Sequence, residues 1–199
     1  MLLGYTLVAG GSRATESACL RIRRTCTFVS ESRLKTARRI YAKRVVDFEG
    51  VHPGFSTLFY ELRSRLLDIG GKEVVPDVAL DEMIGEILNR GQIFQCSKSR
   101  PGRDSWCYWN AAVGWLRGEW DEIAIGYALS ADGLWRRHAW GIGATGATET
   151  TQERTTYYGI KLSRLEVLAF CEAEAPDELD EHLIKVLGAD RLLEVGQHL

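Results

Sequence analysis

Hydrophobic positions along this chain change their period near residue 121, and the change divides it into unlike parts. From Glu31 to Val46, the residues Leu34, Ala37, Ile40, Tyr41 and Val45 recur at helical spacing among Arg and Lys, which predicts a basic amphipathic helix. Val51-His52-Pro53-Gly54 is a break. Phe55, Leu58, Phe59, Leu62, Leu66 and Ile69 form a second helical stripe, with Arg63 and Arg65 off it, and Gly70-Gly71 stops that helix. After Pro76, Asp77 is placed to cap a stretch carrying Val78, Met83, Ile84, Ile87 and Leu88, closed by Gly91. Residues 95–105 are polar and hold Pro101-Gly102, which predicts a loop. The apolar run WCYWNAAVGWL predicts a helix of about three turns starting near Cys107, with Ser105 or Asp104 as its cap.

Beyond Asp121 the period falls to two. Ile123, Ile125, Tyr127 and Leu129 read as a strand, Ala131-Asp132-Gly133 as a hairpin turn, and Trp135 to Ile142 as the returning strand. GATGAT is a second turn. Thr148 to Thr151 makes a third strand and Thr155 to Ile160 a fourth. Leu162 to Phe170 suggests a short helix ended by Pro176, and Asp177 can cap a last helix through Leu183, Val186 and Leu187. Helices, then a small antiparallel sheet, then helices define an α+β class. Residues 1–44 read as a basic lead-in, poorly ordered or helical. Residues 45–199 read as a single domain with its core at about 92–172.

Composition adds less. The chain has 199 residues, 45% hydrophobic and 26% charged, as ordinary globular domains do. Its net charge of −2 hides an asymmetry: ten Lys/Arg against four Asp/Glu in residues 1–50 (+6), and 15 against 23 in the rest (−8). A basic arm can contact nucleic acid or an anionic surface, and a solvated tail explains the same residues. No apolar run approaches the roughly 20 residues of a membrane span, so no membrane partner is expected. The opening MLLGYTLVAGG lacks the preceding positive region of a signal peptide. Residues 1–44 superficially fit a transit peptide, but an over-extended translation start or a disordered arm accounts for them as well. The cysteines, Cys19, Cys26, Cys96, Cys107 and Cys171, are odd in number and form no CxxC pair. Free thiols in a reducing, cytoplasmic setting are therefore expected.

Cysteine chemistry needs a thiolate, a base to make it and a group to hold that base. Cys107 sits at a helix start, where unpaired N–H groups and the helix dipole favour negative charge on sulfur and can hold a developing oxyanion. His138 alone among the four histidines lies within an aromatic, strand-patterned stretch. Glu149 lies on the next strand, and directly opposed residues on antiparallel neighbours stand about 5 Å apart. Such a carboxylate would set the imidazole tautomer. Read singly, each has a plainer role: Cys107 as a small buried side chain, His138 as a satisfied core histidine, Glu149 as an exposed strand residue.

The order of helix with Cys, strand with His and strand with acid resembles papain-like and transglutaminase-like enzymes. The strings Cys107-Tyr-Trp-Asn-Ala-Ala112, Gly126-Tyr-Ala-Leu129, His138-Ala-Trp140, Glu149-Thr150 and Tyr157-Tyr-Gly-Ile160 resemble a group of small uncharacterised bacterial and phage proteins over residues 105–162. The resemblance implies a thiol hydrolase or acyl transferase acting on a peptide, protein or small acyl substrate, with Cys107, His138 and Glu149 catalytic and no metal or organic cofactor. Where that group has Asp-Pro, this chain has Glu149-Thr150. Gln95 and Gln92 are the only glutamines shortly before Cys107 that could serve as the oxyanion-hole glutamine of papain-like enzymes.

Other features carry less. Cys96, a rival nucleophile, lies in a polar segment with no helix start after it. A zinc site from Cys96, Cys107 and His138 matches none of the usual ligand spacings. GIGATG lacks a following Lys-Ser/Thr and reads as a turn. Trp106, Trp109 and Trp115 fall on overlapping helix faces and suggest core packing. Arg136-Arg137 is a candidate for an anionic substrate group, although one of two successive strand residues must face outward. The rival functions are a non-enzymatic binding module on the same scaffold and a nucleic-acid-associated phage or mobile-element protein using the basic arm.

Overall fold

The apolar stripes of the N-terminal half become helices that share one core. The computed structural model describes residues 30–77 and 81–187. Helix α1 spans Glu31–Val51, five residues beyond the expected end, and runs unbroken across residues 44 and 45. Ser30 caps it by accepting from the Arg33 N–H, and Leu34 and Val45 are its buried positions. Gly54 takes the left-handed φ of 95° that the corner demands. There Glu49 accepts from the N–H groups of Gly54 and Ser56 at 2.8 and 2.7 Å, closing the start of α2 (Phe55–Ile69). Phe55, Phe59, Leu62 and Leu66 are the buried face of α2. Helix α3 is Asp81–Arg90. The first residues that Asp77 was expected to cap, 78–80, lie outside the described residues, as does the basic segment before Ser30.

Two corrections concern strands. A short β1, Glu73–Val74, follows α2. The expected loop at 95–105 contains a strand: β2 (Gln92–Phe94) and β3 (Cys96–Ser99) are separated by Gln95 alone. Both are short and mostly exposed, so ladder bonds more than buried side chains hold them and no period of two shows. The remaining elements are α4 (Cys107–Leu116), β4 (Glu122–Ser130), β5 (Leu134–Gly143), β6 (Gly146–Glu149), β7 (Arg154–Lys161), α5 (Arg164–Glu174) and α6 (Pro176–Leu187). Ser163 and Glu166 form a reciprocal capping box at α5. Pro176 is the first residue of α6, where its missing N–H costs nothing, so Asp177 lies inside the first turn rather than capping it.

The sheet is larger and more mixed than a four-stranded antiparallel one. Seven strands run β2-β7-β4-β5-β6-β3, and β1 pairs with β5. The β1–β5 and β3–β6 pairs are parallel. Because β2 and β3 are nearly contiguous yet lie at opposite ends of that order, the sheet must curl until its ends meet. Register then sorts the side chains. Ala124, Gly126 and Ala128 of β4 stand opposite Trp140, His138 and Arg136 of β5 and beside Lys161, Gly159 and Tyr157 of β7, all on the inner face. Ala124, Ala128, Trp140, Ile142, Ala147 and Tyr157 form a small core inside the curl. The outer face, with Ile123, Ile125, Tyr127, Trp135 and Tyr158, packs on the helices and forms the main core with Phe55, Phe59, Leu62, Leu66, Ile84 and Ile87.

Beneath α1 and α2, buried Glu73 accepts from Arg38 at 3.1 Å and from Arg63 at 2.5 and 2.9 Å, tying both helices to β1 and so to the sheet. Among the described residues no helix is long and apolar enough to cross a membrane.

Candidate active site

The site forms where the sheet leaves an edge uncovered. On one side β5 pairs with β4 along nearly its whole length. On the other, β1 covers Leu134 and Trp135, and β6 covers Gly141 to Gly143, so the stretch 136–140 has no strand partner there among the described residues. The start of α4 fills that gap. The Ala139 backbone N–H faces the Cys107 sulfur and favours its charged form.

The start of α4 is built differently from the expectation. Neither Ser105 nor Asp104 caps it: the N-cap is Trp106, which gives no side-chain hydrogen bond. Ser105 takes a positive φ of 64°, alone among the described non-glycine residues, to swing the chain into the helix. Asn110 supplies the fastening that a cap would. Its Nδ2 donates to the carbonyls of Arg103 at 2.9 Å and Thr150 at 3.0 Å, and its Oδ1 accepts from the Arg103 N–H at 3.0 Å. Buried Asn110 thus joins the preceding loop, the helix start and the residue after Glu149. The first helical bond runs from the Asn110 N–H to the Trp106 carbonyl, so the N–H groups of Cys107, Tyr108 and Trp109 have no acceptor one turn back. Trp106 is 52% exposed, against the core role read for it, and lies with Trp109 around the Arg103 guanidinium.

His138 is 2% exposed and points to the inner face. Gly126 and Gly159 lie beside it on β4 and β7. A Cβ on Gly126 would stand 2.3 Å from the Tyr158 carbonyl, so the backbones approach closely and no side chain competes for the space that the imidazole fills. The rings of Trp140 and Tyr157 flank it at 6.4 and 6.0 Å.

Glu149 is fully buried, not exposed. By register it stands opposite residue 140 rather than His138, so the expected direct opposition is corrected to a diagonal one. Diagonal neighbours are about 7–8 Å apart at Cα, a span that suits the extra methylene of Glu over Asp. Nε2 of His138 lies 3.1 and 3.0 Å from the two carboxylate oxygens. Oε1 also accepts from the N–H groups of Thr150 and Thr151 at 2.9 and 2.7 Å and from the Thr151 hydroxyl at 2.9 Å. Oε2 accepts from the Tyr157 hydroxyl at 2.7 Å. Burial alone would push this carboxyl up; the His138 bond and charge, then Tyr157 and the Thr151 N–H, hold it down at about 2.

With Nε2 committed to the carboxylate, Nδ1 is the nitrogen left to interact with Cys107. Burial opposes charge on both partners. The mutual bond overcomes it, lowering the thiol and raising the imidazole from their ordinary values, with Ala139 N–H adding to the sulfur and Glu149 to the ring. Both shifts move the pair toward a thiolate and an imidazolium. Cys107 is half-buried and opens into a cavity of about 460 Å3 that His138, Ser105 and Thr151 also line.

The three residues singled out from the sequence therefore meet. Gln92 and Gln95 do not reach Cys107: Gln92 pairs with Gly159 in the ladder, Gln95 joins β2 to β3, and the glutamine lining the cavity is Gln152. Cys96 is exposed on β3, where it hydrogen-bonds to the Lys98 carbonyl and to Tyr157, away from the cavity. Among the described residues no cluster of His, Cys, Asp and Glu has metal-holding geometry, so Cys96 does not join Cys107 and His138. Tyr157, Thr151 and Asn110 were not assigned roles from the sequence. Strand alternation on β7 places Tyr157 on the face of Gly159, and so of His138, once the register is known. No family model, curated protein or solved structure matches the chain.

Proposed function

We propose that this chain is a thiol hydrolase or acyl transferase with a papain-like layout, Cys107 being the nucleophile, His138 the acid and base, and Glu149 the residue that positions His138. The observation that carries this reading is the contiguous series of a cavity-facing sulfur, a buried imidazole that interacts with it, and a carboxylate fixed by several donors. Such an arrangement costs desolvation of three ionisable groups, which a purely structural core would avoid with apolar residues.

In the proposed reaction the thiolate attacks the carbonyl carbon of an amide, ester or related acyl compound. A C–S bond forms, and the carbonyl electron pair moves to oxygen, which the free N–H groups of the α4 start receive. Collapse of this adduct breaks the bond to the leaving group, and imidazolium His138 delivers the proton it needs. Water, or an amine in a transfer reaction, then attacks the thioester while neutral His138 takes its proton. The product acid or amide departs and Cys107 is returned.

The test is alkylation of the native protein by iodoacetamide from pH 5 to 9, with each site located by peptide mass. Cys107 should label faster than free cysteine below pH 7, and His138→Ala should lose that advantage. A Cys107 rate that follows free cysteine across the range refutes the reading.

A further inference from the structure

The cavity beside Cys107 is chemically one-sided. Apart from the reactive pair, its only apolar lining side chain is Ala131, against three arginines, Arg136, Arg137 and Arg154. An apolar acyl chain would find Ala131 and the methylene stems of charged side chains, but no large apolar side chain, to pack on. Two carboxylates, Asp132 and Glu153, share the lining, and a third, Asp77, reaches Arg137 from outside it, so the formal charges balance and what differs is how closely each arginine is matched. The thiolate and imidazolium cancel each other.

The three arginines are not equally matched. Arg136 is satisfied: it grips Asp132 through two bonds, of 2.9 and 2.6 Å, and donates to Ser130 at 2.7 Å. Arg137 donates to the Tyr108 hydroxyl at 2.6 Å, lies over its ring and has Asp77 at 3.8 Å. Arg154 differs. It donates to the Ser130 hydroxyl, which Arg136 already engages, and its Nε is buried with no partner. No carboxylate lies within ion-pair distance of it among the described residues. Asp132 feels its charge, but both oxygens of Asp132 are held by Arg136. A guanidinium presents its donors as a planar fork, and a carboxylate matches that fork.

Resting on the thiol reading above, we propose that the substrate is a carboxylate-bearing acyl compound and that Arg154 is the specificity-determining residue that receives the carboxylate.

The alkylating reagents themselves serve as probes. Iodoacetate and iodoacetamide both transfer their carbon to sulfur with loss of iodide, and differ in the carboxylate. The ratio of their rates at Cys107 in the native full chain should exceed the ratio for free cysteine by about tenfold, the factor that 1.4 kcal/mol represents. The excess should shrink in 0.5 M salt, and succinate should suppress it more than equimolar inorganic phosphate does. Arg154→Gln should return the ratio to that of free cysteine, and Arg154→Lys should keep part of it. Arg90→Gln, on the surface of α3 beside Glu86, should leave it raised. Fast labelling by iodoacetamide with a ratio no higher than free cysteine overturns this inference and leaves the thiol reading standing. Slow labelling by both reagents overturns the thiol reading itself. Should Arg154→Gln fail to fold, the wild-type ratio and its succinate competition still decide.

Discussion

Tyr157→Phe removes one oxygen atom and isolates the part of the site that is easiest to measure. Its hydroxyl donates to Glu149 Oε2 at 2.7 Å in a place water does not reach, and a hydrogen bond to a charged group contributes about 1.5–3 kcal/mol. The same bond helps to hold the carboxyl at about 2, against 4.5 for a free one. A folded value below the unfolded one stabilises the fold above pH 4.5, and that contribution is lost as pH falls toward 2. The gap of about 2.5 units corresponds to about 3 kcal/mol at neutral pH. Removing the donor raises the folded value and narrows the gap. Tyr157→Phe should therefore be about 1.5–3 kcal/mol less stable than the parent at pH 7, and the difference should diminish steadily toward pH 3. Urea unfolding followed by tryptophan fluorescence at pH 7, 5 and 3 gives the comparison. A loss under 0.5 kcal/mol at pH 7, or a loss of the same size at all three pH values, would refute the reasoning, since either result means that the hydroxyl does not act on a buried anion.

Asn110→Ala removes three hydrogen bonds that fasten the start of α4, at about 1 kcal/mol each, and should cost about 3 kcal/mol in urea while lowering the Cys107 alkylation rate at pH 6. Asn110→Asp, which keeps the acceptor and loses the donor, should restore only the bond from the Arg103 N–H. Arg63→Ala leaves Glu73 in a buried site with Arg38 as its remaining cationic partner and should cost about 3–5 kcal/mol at pH 7. Arg63 and Arg38 hold Glu73 below the ordinary carboxylate range against its burial, so part of the loss should be recovered as the solution is acidified through pH 4.5. Gly126→Ala places a methyl group 2.3 Å from the Tyr158 carbonyl and should cost about 1–3 kcal/mol, with a slowed Cys107 reaction because His138 shifts with β4. A stable, normally reactive Gly126→Ala would show that the close β4–β7 approach does not position the imidazole.

How much of this could be read in the sequence depended on whether the cause was local. Helix α2 was legible to the residue because its stripe begins after Gly54 and ends at Gly70, and both signals lie within the segment itself. The β4–β5 hairpin was legible because alternation and the Asp132-Gly133 turn coincide. Strands β1 and β3 were invisible because they exist only by pairing with residues about 50 to 60 positions further on. The meeting of Cys107 with His138 and Glu149 could be anticipated from residue type and element order. Its manner could not: the diagonal offset of Glu149, the turn at Ser105 and the three bonds of Asn110 follow from register and loop geometry, which single-residue preferences do not encode. The two-sided commitment of Arg136 and the isolation of Arg154 were hidden for the same reason.

The near-contiguity of β2 and β3 at opposite ends of the strand order sets a sequence of events during synthesis. The hydrogen-bonded partner of β2 in the strand order is β7, so the roll cannot close until residues 154–161 have left the ribosome. A chain halted at residue 150 already holds the sulfur, the ring and the acid, but lacks the hydroxyl of residue 157 and the strand that braces β4. Closure across so many intervening residues comes late in assembly. A polypeptide that ends before β7 thus carries the three side chains without the strand and the hydroxyl that hold them, and the site is whole only once residues 154–161 are in place.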